Sequence, residues 1–279
     1  MLRTEHLSLA YGDKPVVDNL SLSIPEGGIT CLLGPNGSGK STLLKSFAGL
    51  LPARSGQVYL DDQPIQQWDR RLLALRLAML PQKPIVPEGI KVRDLVALGR
   101  FPHRKWWQRN QTSDDKATID AMAMTGVSDL AERAVEALSG GQQQRVWIAM
   151  ALAQGTDILL LDEPTTFLDW GYQLEVLELL STLNRQHGLT VVMSLHDLNQ
   201  AAQFADRIAV LTRGRLDTIG SPREVVTEAL INRVFRVQTT ISSGQDGRPF
   251  CSGFAESLKD SPPVIDRSLI PGAAQRETG

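Results

Sequence analysis

Two cysteines in 279 residues exclude a disulfide-stapled scaffold. Cys31 lies in an apolar run and Cys251 in a polar tail, so they read as one small core residue and one incidental thiol. A surplus of either charge is also missing. Lys and Arg number 29 and Asp and Glu 31, a net charge of −2, which removes the electrostatic case for nucleic acid as a partner. No apolar run approaches the roughly 18 residues of a membrane span. The first residues, through His6, lack the apolar core of a signal peptide, so the expected location is the cytoplasm. Aromatics are few, 5% of the chain, yet Phe101, Trp106 and Trp107 fall together in a basic stretch. That stretch reads either as core anchors or as a contact surface. The rest, 42% hydrophobic and 22% charged, is ordinary for a globular protein of one large or two small domains.

What is present centres on residues 29–42. Residues 29–33 are all apolar or β-branched, the pattern of a short buried strand. Gly34, Pro35, Asn36, Gly37, Ser38, Gly39, Lys40, Ser41 and Thr42 follow. Gly34, Gly39, Lys40 and Ser41 satisfy G-x-x-x-x-G-K-[ST], the phosphate-binding loop. Glycines let successive backbone N–H groups turn toward one point and form an anion nest. A helix beginning near Lys40 aims its positive dipole end at the same point. Lys40 adds a full charge for the β- and γ-phosphates, and the Ser41 hydroxyl is placed to ligate Mg²⁺. A Gly-rich surface turn would need none of this context. Here Leu43, Leu44, Phe47 and Ala48 recur at helical spacing and Gly49 follows as a stop.

Ahead of this loop, alternation at Leu7, Leu9 and Tyr11 and again at Leu20, Leu22 and Ile24 predicts antiparallel strands across a turn at Gly12 and Asp13. Another short strand starts at Ser55 and Gly56, and an apolar run from Leu77 ends at the polar Gln82. Short helices are predicted over residues 92–98, over 114–124 with Ser113 as N-cap, and over 128–134. Residues 138–145 lead into a further helix, with Val146, Ala149, Met150 and Ala153 on one face and Gly155 as its stop. Residues 158–163 are an apolar strand ending in the two carboxylates Asp162 and Glu163, which suits a parallel strand buried on both faces. An amphipathic helix over 173–187 and a buried strand over 190–195 come next, ending at His196. Ile208 and Leu216 open the two arms of a hairpin. Ser221, Pro222 and Glu224 make a capping box that opens a short helix. From about Ser242 Gly, Pro, Ser and charge dominate, the composition of a loosely ordered tail. Strand–helix alternation predicts a parallel sheet covered by helices.

Parallel sheets place ligand sites at the carboxyl ends of their strands. Four ends carry suitable groups: the loop from Gly34, Gln82, the Asp162–Glu163 pair and His196. Asp162 is placed to hold Mg²⁺ beside Ser41, and Glu163 to orient and deprotonate an attacking water. Gln82 suits either Mg²⁺ ligation or water positioning, and His196 a γ-phosphate contact. Leu138, Ser139, Gly140, Gly141 and Gln142 open a helix and so form a second anion-binding device.

Taken together these motifs resemble the ATP-binding cassette ATPases. The marks are residues 34–42 (Walker A), Gln82 (Q-loop), 138–142 (signature), 158–163 (Walker B), Asp169 in the D-loop and His196 (switch histidine), all in the family's order. The resemblance implies an α/β P-loop NTPase cassette with a RecA-like parallel-sheet core, an antiparallel β subdomain and a helical signature subdomain. It spans residues 1–240, with the helical subdomain over about 83–155 and a tail of unassigned role over 241–279. It further implies ATP and Mg²⁺ as ligands and a head-to-tail dimer in which Ser139, Gly141 and Gln142 act on the partner's nucleotide and Asp169 touches the partner. Tyr11 resembles the aromatic that stacks on adenine, although a strand-end core Tyr is the plainer reading. Phe167 stands where the D-loop usually has a small residue.

One cassette without a membrane span is how the family's importers are built, with separate permease subunits and a substrate-binding protein. On that pattern the protein sits at the cytoplasmic face of the membrane. Residues 81–103, 163–169 and 195–201 are similar to the branch that imports iron–siderophore complexes, vitamin B12 and haem. Ferric siderophore is the favoured cargo. A non-transport ABC ATPase is the alternative from another class. A plain kinase or GTPase does not account for residues 138–142.

Overall fold

The computed structural model describes residues 1–86, 88–104, 112–244 and 246–256. Trp106, Trp107 and the tail beyond 256 lie outside the described residues. In chain order the elements are β1 (Leu2–Tyr11), β2 (Lys14–Ile24), β3 (Ile29–Leu33), α1 (Lys40–Phe47), β4 (Ser55–Leu60), β5 (Gln63–Pro64), α2 (Arg70–Arg76) and β6 (Leu77–Leu80). Then follow α3 (Val92–Leu98), α4 (Thr112–Met124), α5 (Gly140–Ala153), β7 (Ile158–Asp162), α6 (Trp170–His187), β8 (Thr190–Ser194) and α7 (Leu198–Phe204). The chain continues through β9 (Arg207–Thr212), β10 (Arg215–Gly220), α8 (Pro222–Val225), α9 (Glu228–Phe235), β11 (Val237–Ser243) and β12 (Pro249–Glu256).

Six strands form the central sheet in the order β10-β9-β3-β8-β7-β6. All neighbours are parallel except the β9–β10 hairpin at one edge. Because side chains alternate across a strand, each strand feeds two cores. Leu32, Leu160, Val192 and Ala209 face one side, where they meet α1 and the antiparallel sheet β2-β1-β4-β5. Cys31, Leu33, Leu159, Leu161, Val191 and Met193 face the other, where they meet apolar residues of the helices α3 to α9. This double burial is why β3, β7 and β8 read as unbroken apolar runs. Phe47 closes α1 onto the first core with no exposed surface. Phe47→Ala should cost about 3–5 kcal/mol of unfolding free energy by loss of packing and a residual cavity. Urea unfolding followed by circular dichroism measures it, and a loss under about 1 kcal/mol would mean that the site collapses around the gap.

Three expectations need correction. Residues 128–134 are not a helix: only Ser128–Leu130 makes a 3-10 turn. The carbonyls of Ala131 and Arg133 accept from Arg93 and Val92, and Lys91 bridges Ala134, so the chain winds through turns that dock on the start of α3. The helix expected from Asp114 begins at Thr112, which puts Ser113 inside it rather than at its cap. Thr112, Ser113, Asp114 and Asp115 all favour N-cap positions, so the sequence does not single out one start. The stretch after Ser242 is not a loose tail as far as residue 256. β11 and β12 pair antiparallel, and the boundary expected at residue 240 falls within β11. The hairpin is fixed to α7: Asn199 donates to the Cys251 carbonyl at 3.1 Å and accepts its N–H at 2.7 Å. The Arg248 guanidinium donates to the carbonyls of Ala202 and Ala205 at the end of the same helix. Cys251 is therefore buried rather than incidental, and its thiol is pushed up to about 11 by desolvation and then by the Asp197 carboxylate.

Candidate functional site

The carboxyl edge of the central sheet gathers the chemistry. β3 hands over to the loop at Gly34, whose φ of +143° is joined by a steric demand: an added Cβ would lie 2.0 Å from the Leu211 carbonyl oxygen. No other residue fits there. The loop ends at Gly39, which precedes α1 without any side-chain cap, so the first-turn N–H groups of that helix stay open to an anion. Lys40 is 5% exposed. Its ammonium donates to the carbonyls of Gly34 at 2.8 Å and Pro35 at 3.3 Å. Burial lowers its pKa from the ordinary lysine value, opposed by the Glu163 and Asp162 carboxylates. An open cleft of about 140 Å³ over this loop is lined by Val16, residues 36–42 and Glu163.

β7 delivers Asp162, 6% exposed, to the foot of that cleft. Ser41 Oγ donates to Asp162 Oδ1 at 2.8 Å. Ser194 Oγ, at the end of β8, donates to the same oxygen at 2.8 Å. Glu163 then leaves the strand with φ at +52°, a left-handed conformation unusual for a side-chain-bearing residue. Its carboxylate collects three donors. Gln82, past the end of β6, donates to Oε2, and Thr166 donates to the same oxygen at 3.1 Å. His196 Nε2, past the end of β8, lies 2.5 Å from Oε1. A carboxylate has no proton to give, so the imidazole nitrogen carries it.

The strand-end groups named from the sequence are thus brought together: the loop, Gln82, Asp162, Glu163 and His196. Ser194, which the sequence does not single out, and Thr166, which it marks only as part of the D-loop, belong to the same cluster. Residues 138–142 and Asp169 do not line the cleft. Ser139 and Gln142 make a reciprocal capping box that opens α5. Gly141 lies against Tyr172 of α6, where an added Cβ would fall 2.7 Å from the ring. Asp169 precedes α6, exposed and without a capping bond. Phe167 is 73% exposed, in the left-handed region at φ +67°, with the Lys83 ammonium 4.5 Å from its ring centre. Tyr11, at the end of β1, is 47% exposed rather than a core residue, and Lys45 Nζ sits 5.9 Å from its ring centre. Among the described residues no helix is long and apolar enough to cross a membrane.

A parallel sheet with a glycine loop running into a helix, next to an Asp-Glu strand end, defines an α/β protein of the P-loop NTPase class. The family model described as ABC transporter matches residues 17–166. The chain belongs to the ABC transporter family. It is 48% identical over 251 residues to a petrobactin import ATP-binding protein of Bacillus anthracis, covering 90% of this chain and 92% of that one. It is 46% identical over 240 residues to the ferric enterobactin transport ATP-binding protein of Escherichia coli (strain K12), covering 86% of this chain and 89% of the relative. In three dimensions it is similar to a chain of an inward-facing ABC transporter described as of metal-chelate type. There the TM-score is 0.78 at 28% identity, over 91% of this chain and 96% of that chain.

Proposed function

We propose that this protein is the ATP-hydrolysing subunit of an ABC importer that carries an iron(III)–siderophore complex across the cytoplasmic membrane. The observation that carries the enzymatic part is the convergence of Gln82, Thr166 and His196 on the Glu163 carboxylate, beside the Ser41–Asp162 pair. The loop backbone, the open end of α1 and Lys40 bind the triphosphate. Glu163 takes a proton from the water that attacks the γ-phosphorus, while the bond from that phosphorus to the β-bridging oxygen breaks and ADP leaves. Gln82 and His196 hold the carboxylate's direction by donating to it.

Magnesium fits the residues present. The donors are all oxygen, as a hard cation requires. Ser41 Oγ and Asp162 Oδ1 stand 2.8 Å apart, close enough for both oxygens to face one small cation. Bound there with ATP, Mg²⁺ would supply charge neutralisation of the β- and γ-oxygens. Ser41 and Asp162 are the residues assigned to hold it, with Gln82 beside them.

Partners follow from what the cleft lacks. Ser139, Gly141 and Gln142 stand outside it, which agrees with action on a second copy packed head to tail, with Asp169 at the contact. Tyr11, exposed next to the loop's helix, is assigned to stack on adenine. The helical region over about 83–155 is assigned to pass motion to membrane-embedded permease subunits, served by a separate substrate-binding protein. The protein would then work at the cytoplasmic face of the membrane. The residues assigned to nucleotide binding and hydrolysis lie within residues 1–240, and the β11–β12 hairpin that crosses this boundary packs on α7. The cargo rests on relatives whose names specify petrobactin import and ferric enterobactin transport.

Cells lacking the gene should lose ATP-dependent uptake of radiolabelled ferric siderophore by at least about tenfold, and the wild-type gene should restore it. Unchanged iron uptake, with loss of vitamin B12 or haem uptake instead, would reassign the cargo. If no polytopic subunit co-purifies from detergent-solubilised membrane, a role outside transport takes its place.

A further inference from the structure

Ser194 is the last residue of β8, between β3 and β7 in the sheet. Register places it opposite Asp162 on one side and Leu32 on the other. It has no exposed surface. A serine hydroxyl has one hydrogen to donate and lone pairs to accept, and here both capacities are used toward the site. The hydrogen goes to Asp162 Oδ1 at 2.8 Å, and the oxygen accepts the Glu163 backbone N–H at 2.9 Å. We infer that Ser194 is a positioning residue that ties the metal-binding carboxylate to the catalytic base through one hydroxyl. The inference rests on the roles proposed above for Asp162 and Glu163.

The backbone alone does not supply this link. Past Ser194 the backbone bonding continues on the β3 side, where the Leu195 N–H donates to the Leu32 carbonyl at 3.2 Å, but not on the β7 side. The β7–β8 ladder therefore stops at the Asp162–Ser194 pair, and the N–H of the next residue, Glu163, meets a side chain instead of a strand carbonyl. That N–H belongs to the peptide plane between Asp162 and Glu163. Holding it fixes the starting direction from which Glu163, at φ +52°, swings its carboxylate toward Gln82 and His196. Ser41 donates to the same Asp162 oxygen. When Ser41 turns its hydroxyl to a metal, the Ser194 donation is the one that continues to aim Asp162. Partners that orient a metal-binding carboxylate typically change metal affinity or activity by about 10–100-fold when removed.

The experiment uses the purified full chain. Ser194→Ala should lower kcat for ATP by about 10–30-fold while the ATP dissociation constant in EDTA stays within about twofold. The Mn²⁺ dissociation constant, read by electron paramagnetic resonance with a non-hydrolysable ATP analogue, should weaken by about tenfold. Ser194→Thr keeps the hydroxyl and should return both quantities to within about threefold of wild type. Should the Ala variant fail to fold, Ser194→Cys preserves volume and weakens both hydrogen bonds, and the same readings apply. Wild-type kcat and Mn²⁺ affinity in the Ala or Cys variant would overturn the inference. So would equal losses in the Ala and Thr variants with matching falls in melting temperature, which would mark a packing role only. A Glu163→Gln variant that still turns over removes the base on which the inference rests. A dead Glu163→Gln variant beside an unaffected Ser194→Ala variant removes the Ser194 link alone.

Discussion

Glu163→Gln should lower kcat for ATP hydrolysis by about a thousandfold and leave the nucleotide dissociation constant within about threefold of wild type. A positioned general base contributes roughly 10²–10⁴ in rate, and an amide at this position cannot accept the water's proton. Binding should survive because the groups proposed to grip the phosphates, the loop backbone and Lys40, are distinct from Glu163. Removing one negative charge from the rim of the cleft also favours a polyanion, so any change in affinity should be toward tighter binding. The substitution has a second consequence. The carboxylate now accepts from Gln82, Thr166 and His196, whereas a glutamine side chain offers one carbonyl oxygen and two N–H groups. At least one of those three groups must then switch from donating to accepting, by a His196 tautomer change, a Thr166 hydroxyl rotation or a Gln82 amide flip, or lose its bond. Phosphate release under saturating ATP and titration with a fluorescent nucleotide read the two quantities separately. Turnover within tenfold of wild type would take the base role away from Glu163.

The parts of this site legible in the sequence are those whose geometry is forced locally. Gly34 announces itself because a Cβ there would strike the Leu211 carbonyl, and the strand, loop and helix that contain it occupy one continuous segment. Asp162 and Glu163 are legible because an apolar run buried on both faces can end only where the sheet meets solvent. The capping box at Ser221–Glu224 is a local four-residue pattern, and it forms. What is not legible depends on register or on distant docking. Ser194 is one small polar residue in an apolar strand, and its meaning comes from standing opposite Asp162, 32 residues away in sequence. The left-handed turn at Glu163 has no local glycine to signal it. The hairpin β11–β12 has the Gly- and Ser-rich composition of a tail, and it is ordered by Asn199 of α7 holding Cys251 and by Arg248 holding the end of α7. The helical reading of 128–134 fails for the same reason: the Ala131 and Arg133 carbonyls are taken by the start of α3 rather than by a following helical turn.

Lys40→Ala should have the opposite signature, a loss of nucleotide affinity of about 30–150-fold with little change in melting temperature. The ammonium is nearly sheltered from water and donates to two loop carbonyls, Gly34 and Pro35. Charge-assisted hydrogen bonds to a triphosphate contribute about 2–3 kcal/mol, and each 1.4 kcal/mol is tenfold in a dissociation constant. The fold should tolerate the change because two effects oppose each other. Burial disfavours the charged ammonium, as its lowered pKa records, so its removal relieves a desolvation cost. The Gly34 and Pro35 carbonyls lose a donor, which costs about 1–3 kcal/mol if water does not replace it. Lys40→Arg should not restore affinity, since a planar guanidinium does not match a compact pocket shaped around a point charge. A fluorescent ATP analogue measures the affinity, and calorimetry the melting temperature. Together with Glu163→Gln the variant separates holding the nucleotide from cutting it. If Lys40→Ala bound ATP as tightly as wild type, the backbone nest and the open end of α1 alone would hold the triphosphate, and the lysine charge would act only on the charge that develops during phosphoryl transfer.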